Sequence, residues 1–199
     1  GDNPALKSIN LNNVKEIGKA AFLNTGIESV TLEGEQVVIS ANAFKRCSAL
    51  TSVVAKDIQS LGTNAFDSCT ALTSFKCEGV INTIPKECFK GTALTAFDFK
   101  NVTSVGKNAF NKSSLKSACY AGTKEQWDSM IPAASWSGAT IPEETVVHCK
   151  ADAVEAKAAT CTEDGWKEVG VCEVCGEHYS YPTDENKIPA TGHTWSEDY

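Results

Sequence analysis

Leu61-Gly-Thr-Asn-Ala-Phe66-Asp-Ser-Cys69-Thr-Ala-Leu72 decides the reading of this chain, because the chain repeats it. Ile17-Gly-Lys-Ala-Ala-Phe22, Ile39-Ser-Ala-Asn-Ala-Phe44, Ile84-Pro-Lys-Glu-Cys-Phe89 and Val105-Gly-Lys-Asn-Ala-Phe110 carry the same order of residue types, and the phenylalanines recur after 22, 22, 23 and 21 residues. A fixed period of this length marks a solenoid, in which each repeat is one coil that cannot bury its apolar edge alone and is stabilised by stacking on its neighbours.

A second signature, apolar-x-x-apolar-x-apolar, runs between the phenylalanines: Leu6/Ile9/Leu11, Ile27/Val30/Leu32, Leu50/Val53/Ala55, Leu72/Phe75/Cys77, Leu94/Phe97/Phe99 and Leu115/Ala118/Tyr120. Its last two apolar positions are two apart, the strand period, which predicts six short strands. Two residues after each strand stands Asn13, Gly34, Asp57, Gly79, Asn101 or Gly122, types that accept a left-handed or tight turn. The expected fold is an α/β solenoid over 1–122, with a parallel sheet on its concave face and short helical or 3₁₀ turns carrying the Ala-Phe segment on the convex side. The Leu, Val and Phe columns are core, each buried side chain contributing roughly 1.5–3 kcal/mol before entropy. Cys47 and Cys69 share one repeat position, Cys88 replaces the alanine before Phe89, and Cys77 replaces a strand leucine, so these four read as buried free thiols.

The Ile-Gly-x-x-Ala-Phe-x-x-Cys-x-x-Leu pattern over residues 5–120 resembles the BspA-like leucine-rich repeats of bacterial surface proteins. The resemblance implies a secreted or surface-displayed solenoid used in adhesion, with a protein or glycan of a host or neighbouring cell as partner.

Strand alternation places two columns outward on the sheet. One is Ser8, Ser29, Ser52, Ser74, Ala96 and Ser117; the other is Asn10, Thr31, Val54, Lys76, Asp98 and Cys119. Ser29, Ser52, Ser74, Lys76 and Asp98 are the candidate binding residues of this face. It is a ladder of small hydroxyls without the Trp, Tyr and Arg that usually anchor protein interfaces, so a plain solvated sheet surface is the competing reading.

After Gly122 the period stops. Thr123-Lys-Glu-Gln126 reads as a capping box opening a short helix with Trp127, Met130 and Ile131 on one face and Pro132 ending it. With Trp136 and an apolar strand at Val146-Val147, residues 123–149 form an expected cap on the last coil. Cys119 is the repeat cysteine expected to point outward, and a disulfide to Cys149 would close a loop of about thirty residues. Residues 150–158 read as a linker. In 159–199, Cys161, Cys172, Cys175 and His193 have the spacing Cys-x10-Cys-x2-Cys-x17-His, suited to a closed structural zinc site of three thiolates and an imidazole. A disulfide from Cys172 to Cys161 or Cys175, reduced thiols, and His148 in place of His193 are the alternatives; His178 reads as solvent-facing. This unit also resembles small cysteine-bearing repeats appended to bacterial surface proteins.

Eighteen basic against 25 acidic residues give a net charge of −7, which argues against nucleic acid or an anionic membrane as partner. No apolar run is long enough to span a membrane, and no basic-then-apolar signal opens the chain. Neither a Gly-rich phosphate loop, a Gly-x-Ser-x-Gly elbow nor a His-Glu-x-x-His motif occurs, so no enzyme is expected. The functional expectation is a surface recognition module; the alternative is a spacer that projects another domain.

Overall fold

The computed structural model describes residues 1–120 and 122–130, and beyond them the backbone of five short strands between 146 and 188. Chain order begins β1 (Glu16–Ile17), β2 (Ser29–Leu32), β3 (Val37–Ile39), β4 (Ser52–Ala55) and β5 (Ile58–Leu61). It continues with β6 (Ser74–Cys77), β7 (Thr83–Ile84), β8 (Ala96–Asp98), β9 (Ser104–Val105), β10 (Ser117–Tyr120), α1 (Lys124–Met130) and β11 (Val146–Cys149). Each coil consists of a back strand, a turn carrying its Phe, and a front strand. All pairing between coils is parallel, with front sheets β2-β4-β6 and β8-β10-β11 and back sheets β1-β3-β5 and β7-β9.

Parts of this architecture differ from the sequence expectation. The side expected to carry helical turns carries a second parallel sheet, because a coil of about 22 residues is used up by two strands and two corners, and Val37-Val38-Ile39 is a β-branched run. Of the two forms expected for the Ala-Phe segment, the tight turn closed by 3₁₀-type i→i−3 bonds is found and the helix is not: Ala43 N donates to Ser40 O and Ala65 N to Gly62 O, both at 3.2 Å. Two residues flanking each Phe, such as Asn42 and Arg46 or Asn64 and Ser68, take positive φ near 60°, which forbids continuation into a helix. At the corners after the front strands, Gly34, Gly79 and Gly122 stand in bends without positive φ, the tight-turn form of the expectation and not the left-handed one. The first of the six strand registers also fails to form a strand. Leu6 to Leu11 runs beside β2 with a bond from Glu28 N to Lys7 O at 3.1 Å, and Ile9 stays exposed because a coil is stacked on only one side of it.

The core is the predicted one. Phe44, Phe66, Phe89 and Phe110 are fully buried, and their rings form a stacked ladder with Phe22, spaced 5.2, 5.3, 5.4 and 5.3 Å with nearly parallel planes. The amides of Phe22, Phe44, Phe66 and Phe89 donate to the carbonyl just before the next coil's Phe, as in Phe44 N to Ala65 O at 2.8 Å and Phe66 N to Cys88 O at 2.9 Å. Gly62 is required by packing: a Cβ there would collide with the Ser40–Ala41 backbone of the preceding coil.

Cys47, Cys69 and Cys88 are buried thiols, as expected. Cys47 Sγ donates to Phe22 O at 2.9 Å and Cys69 Sγ to Phe44 O at 3.0 Å, while Thr25 and Thr92 fill the same column and donate to Phe22 O and Phe89 O. The column is therefore a row of small donors that satisfies turn carbonyls. Burial pushes the Cys69 and Cys88 thiols far above the ordinary thiol range, whereas Cys77 is half-buried and raised less. Alkylation of the native protein should accordingly label Cys77 well before Cys47, Cys69 or Cys88, a ranking that peptide mapping after a timed iodoacetamide pulse would read. Comparable labelling of Cys69 and Cys77 would contradict this packing.

The capping box expected at Thr123–Gln126 opens α1. Thr123 N donates to Gln126 Oε1 at 2.9 Å and Gln126 N to Thr123 Oγ1 at 3.2 Å. Trp127 is then buried edge-on against Phe99, with ring centroids 5.1 Å apart, and against Tyr120 at 5.5 Å. The strand expected at Val146-Val147 is β11, parallel to β10. Further on, β12 (Gly165–Trp166) pairs antiparallel with β15 (Lys187–Ile188), and β13 (Gly170–Val171) with β14 (His178–Tyr179). Cys161, Cys172, Cys175 and His193 lie outside the described residues, as do the side chains of His148, Cys149 and His178, Trp136 and the 150–158 linker.

Candidate functional site

Parallel pairing in register builds the predicted outward columns. Ser29, Ser52 and Ser74 are aligned across β2, β4 and β6, as are Thr31, Val54 and Lys76. On the second front sheet Ala96 lies beside Ser117, and Asp98 beside Cys119. Ser29, Lys76 and Asp98 are exposed, Ser52 and Ser74 half-buried, and Val54 is 43% exposed, a large apolar side chain left on the surface. The serine ladder is thus real up to Ser74.

At β10 the alternation ends. Ser117, Ala118 and Cys119 are all buried, so Cys119 is not an exposed outward thiol. Strands covered on both faces lose the in-out pattern that sequence reading relies on. Register sets Cys119 opposite His148, while Cys149 falls opposite Tyr120. The Ser117 hydroxyl is buried without a hydrogen-bond partner among the described residues.

Sequence reading missed a groove across β4, β6 and β8. It measures about 450 Å³ and is lined by Val54, Ala55, Ser74, Lys76, Ala96 and Asp98, with Phe75 and Phe97 beneath. Lys76 and Asp98 stand on the facing strands β6 and β8, yet they form no ion pair with each other among the described residues. Asp98 instead accepts the Lys100 amide at 2.8 Å, which fixes its carboxylate at the rim. The groove therefore offers one cation, Lys76, two carboxylates, Glu78 and Asp98, the half-buried Cys77 thiol, hydroxyls and an apolar patch. No group of side chains able to hold a metal ion occurs among the described residues.

The corner opposite carries a polar network instead. Asp67 is buried and receives Lys45 Nζ at 2.8 Å, Ser68 Oγ at 2.9 Å and Asn64 Nδ2 at 3.1 Å; Asn64 also donates to Glu87 Oε2 at 2.8 Å. Burial raises the Asp67 carboxyl, but the bonds from Lys45, Ser68 and Asn64 outweigh it and hold the group below its ordinary value; Glu87 is lowered chiefly by Asn64. Carboxyls depressed in the folded state stabilise it fully above their unfolded values near pH 4, and that contribution is lost as the pH falls through the folded values. The melting temperature should therefore drop between pH 6 and pH 3, and Asp67→Asn, already weakened at pH 6, should drop by less. An equal drop in both proteins would remove Asp67 from the acid response.

The family model described as BspA type leucine rich repeat region, in six copies, matches residues 2–117. No curated protein and no solved structure matches the chain. Proteins with this repeat are often surface-associated and protein-binding. The match spans more than half of the chain and coincides with the coils just described, so the chain belongs to the BspA-type leucine-rich-repeat family.

Proposed function

We propose that the chain is a cell-surface or secreted recognition module that binds a protein or glycan of a host or neighbouring cell through its front face, acting by adhesion and not by catalysis. The observation that carries the reading is the groove over β4, β6 and β8, where the column beside the serine ladder departs from a small polar face at Val54, Lys76 and Asp98. A repeat dictates a monotonous face; a departure from it that coincides with a concavity is where specificity can reside. The spacer alternative is favoured by no comparable feature.

The test is a glycan and extracellular-matrix array probed with the intact chain, Lys76→Glu and Asp98→Lys. Saturable binding that falls at least tenfold in either variant, with unchanged melting temperature, is the expected result. Silence across the arrays, or binding indifferent to both reversals, would favour the spacer. Zinc in the 159–199 unit belongs to the same proposal as a structural device, checked by metal analysis of the reduced protein for near-unit stoichiometry.

A further inference from the structure

Both walls of the solenoid are interrupted at one boundary. The front sheets β2-β4-β6 and β8-β10-β11 part between the third and fourth coils, and the back sheets β1-β3-β5 and β7-β9 part between the same two. The preceding front boundaries, β2 to β4 and β4 to β6, each hold four residues in register. Three cavities follow the interruption: the front groove, a void of about 40 Å³ between Phe75, Cys77, Ile81 and Phe97, and a cavity of about 240 Å³ between Ile58, Ser60, Ile81 and Thr83 on the back.

What continues across the boundary is gathered at one corner. Asn64 N to Lys86 O at 3.0 Å, Phe66 N to Cys88 O at 2.9 Å and Ser68 N to Lys90 O at 2.7 Å keep the turn ladder intact, and Asn64 reaches Glu87. Phe66 on Phe89 at 5.4 Å and Phe75 on Phe89 at 5.0 Å pack behind it, whereas Phe75 and Phe97, on the front wall, are 5.8 Å apart. The sequence explains the splay. Phe75 and Phe97 take the strand position that Val30 and Val53 occupy earlier, and the 23-residue interval from Phe66 to Phe89 is the longest of the four.

In a stack whose stability is a sum of coil terms and nearest-neighbour terms, separation begins at the weakest interface. We propose that the boundary between the third and fourth coils is a hinge about the Phe66/Phe89 corner, dividing the solenoid into two separately opening blocks, 16–77 and 83–130. Opening at this hinge widens the front groove and uncovers Phe75, Cys77 and Phe97 while the ladders inside each block persist.

Native-state hydrogen exchange of the intact chain in increasing sub-denaturing urea tests this. Amides of β4 and of β10 both lie inside ladders away from the break. Two blocks require them to lose protection on separate urea curves, with rates differing at least tenfold at the same urea concentration, and brief proteolysis to cut first within 78–82. A single curve shared by β4 and β10, or first cleavage inside either block with 78–82 spared, would overturn the proposal.

Discussion

Phe89→Ala is expected to destabilise the chain by about 3–5 kcal/mol, the usual cost of emptying a buried phenylalanine site that cannot collapse. Phe89 is fully buried and its ring meets Phe66, Phe75, Phe97 and Phe110 within 5.0 to 5.4 Å, so its loss breaks the ladder between Phe66 and Phe110 and removes one partner from each front-wall aromatic. With native stabilities of about 5–15 kcal/mol, such a loss leaves a marginal protein. Urea unfolding followed by circular dichroism would measure it. Phe22→Ala is the control: Phe22 is half-buried, and of these rings stacks on Phe44 alone, so its cost should be clearly smaller. Equal costs would mean that the ladder is not a continuous spine.

Trp127→Ala should produce the second large effect, also about 3 kcal/mol or more, with a different symptom. Trp127 is 5% exposed and covers the aromatic side chains of the fourth and fifth coils by lying against Phe99 and Tyr120. Terminal coils need a cover with a polar outer face, because an open end presents apolar surface to other molecules. The variant should therefore both melt earlier and self-associate at micromolar concentration, seen by light scattering, while Trp127→Phe restores most of the monomer. A Trp127→Ala protein that melts earlier yet stays monomeric would assign the residue to packing alone.

The parts of the fold that were legible in the sequence are those written in apolar identity. The Phe column, the front strands, the cysteines as small hydrophobes and the Thr123–Gln126 box each repeat or match a local rule. The left-handed turn positions were hidden: Arg46, Ser68, Glu87 and Lys112 carry no glycine-like signal, and hydrogen bonds to the next coil impose their backbone, as in Arg46 N to Asp67 O at 2.8 Å. The back strands were missed because two to four residues are too few to show a period. Of the candidate site, the ranks of Ser29, Ser52, Ser74 and Lys76 followed from alternation alone. The groove did not, since it arises from pairing that fails to form between β6 and β8, and bulk at Phe75 and Phe97 reads as ordinary core. Burial of Cys119 depends on what lies over β10, which alternation within the strand cannot express.

The turn ladder joins residues 20 to 22 positions apart, as in Phe22 N to Ala43 O and Phe89 N to Ala109 O. Every coil is thus docked by closing a chain segment of one fixed length, and the entropy of closure is the same for the fifth coil as for the second. Contact order relative to chain length then falls as coils are added, so a longer array of this kind need not fold more slowly than a short one. Such a chain can gain or lose whole coils by duplication or deletion without lengthening any closure that the remaining coils must make.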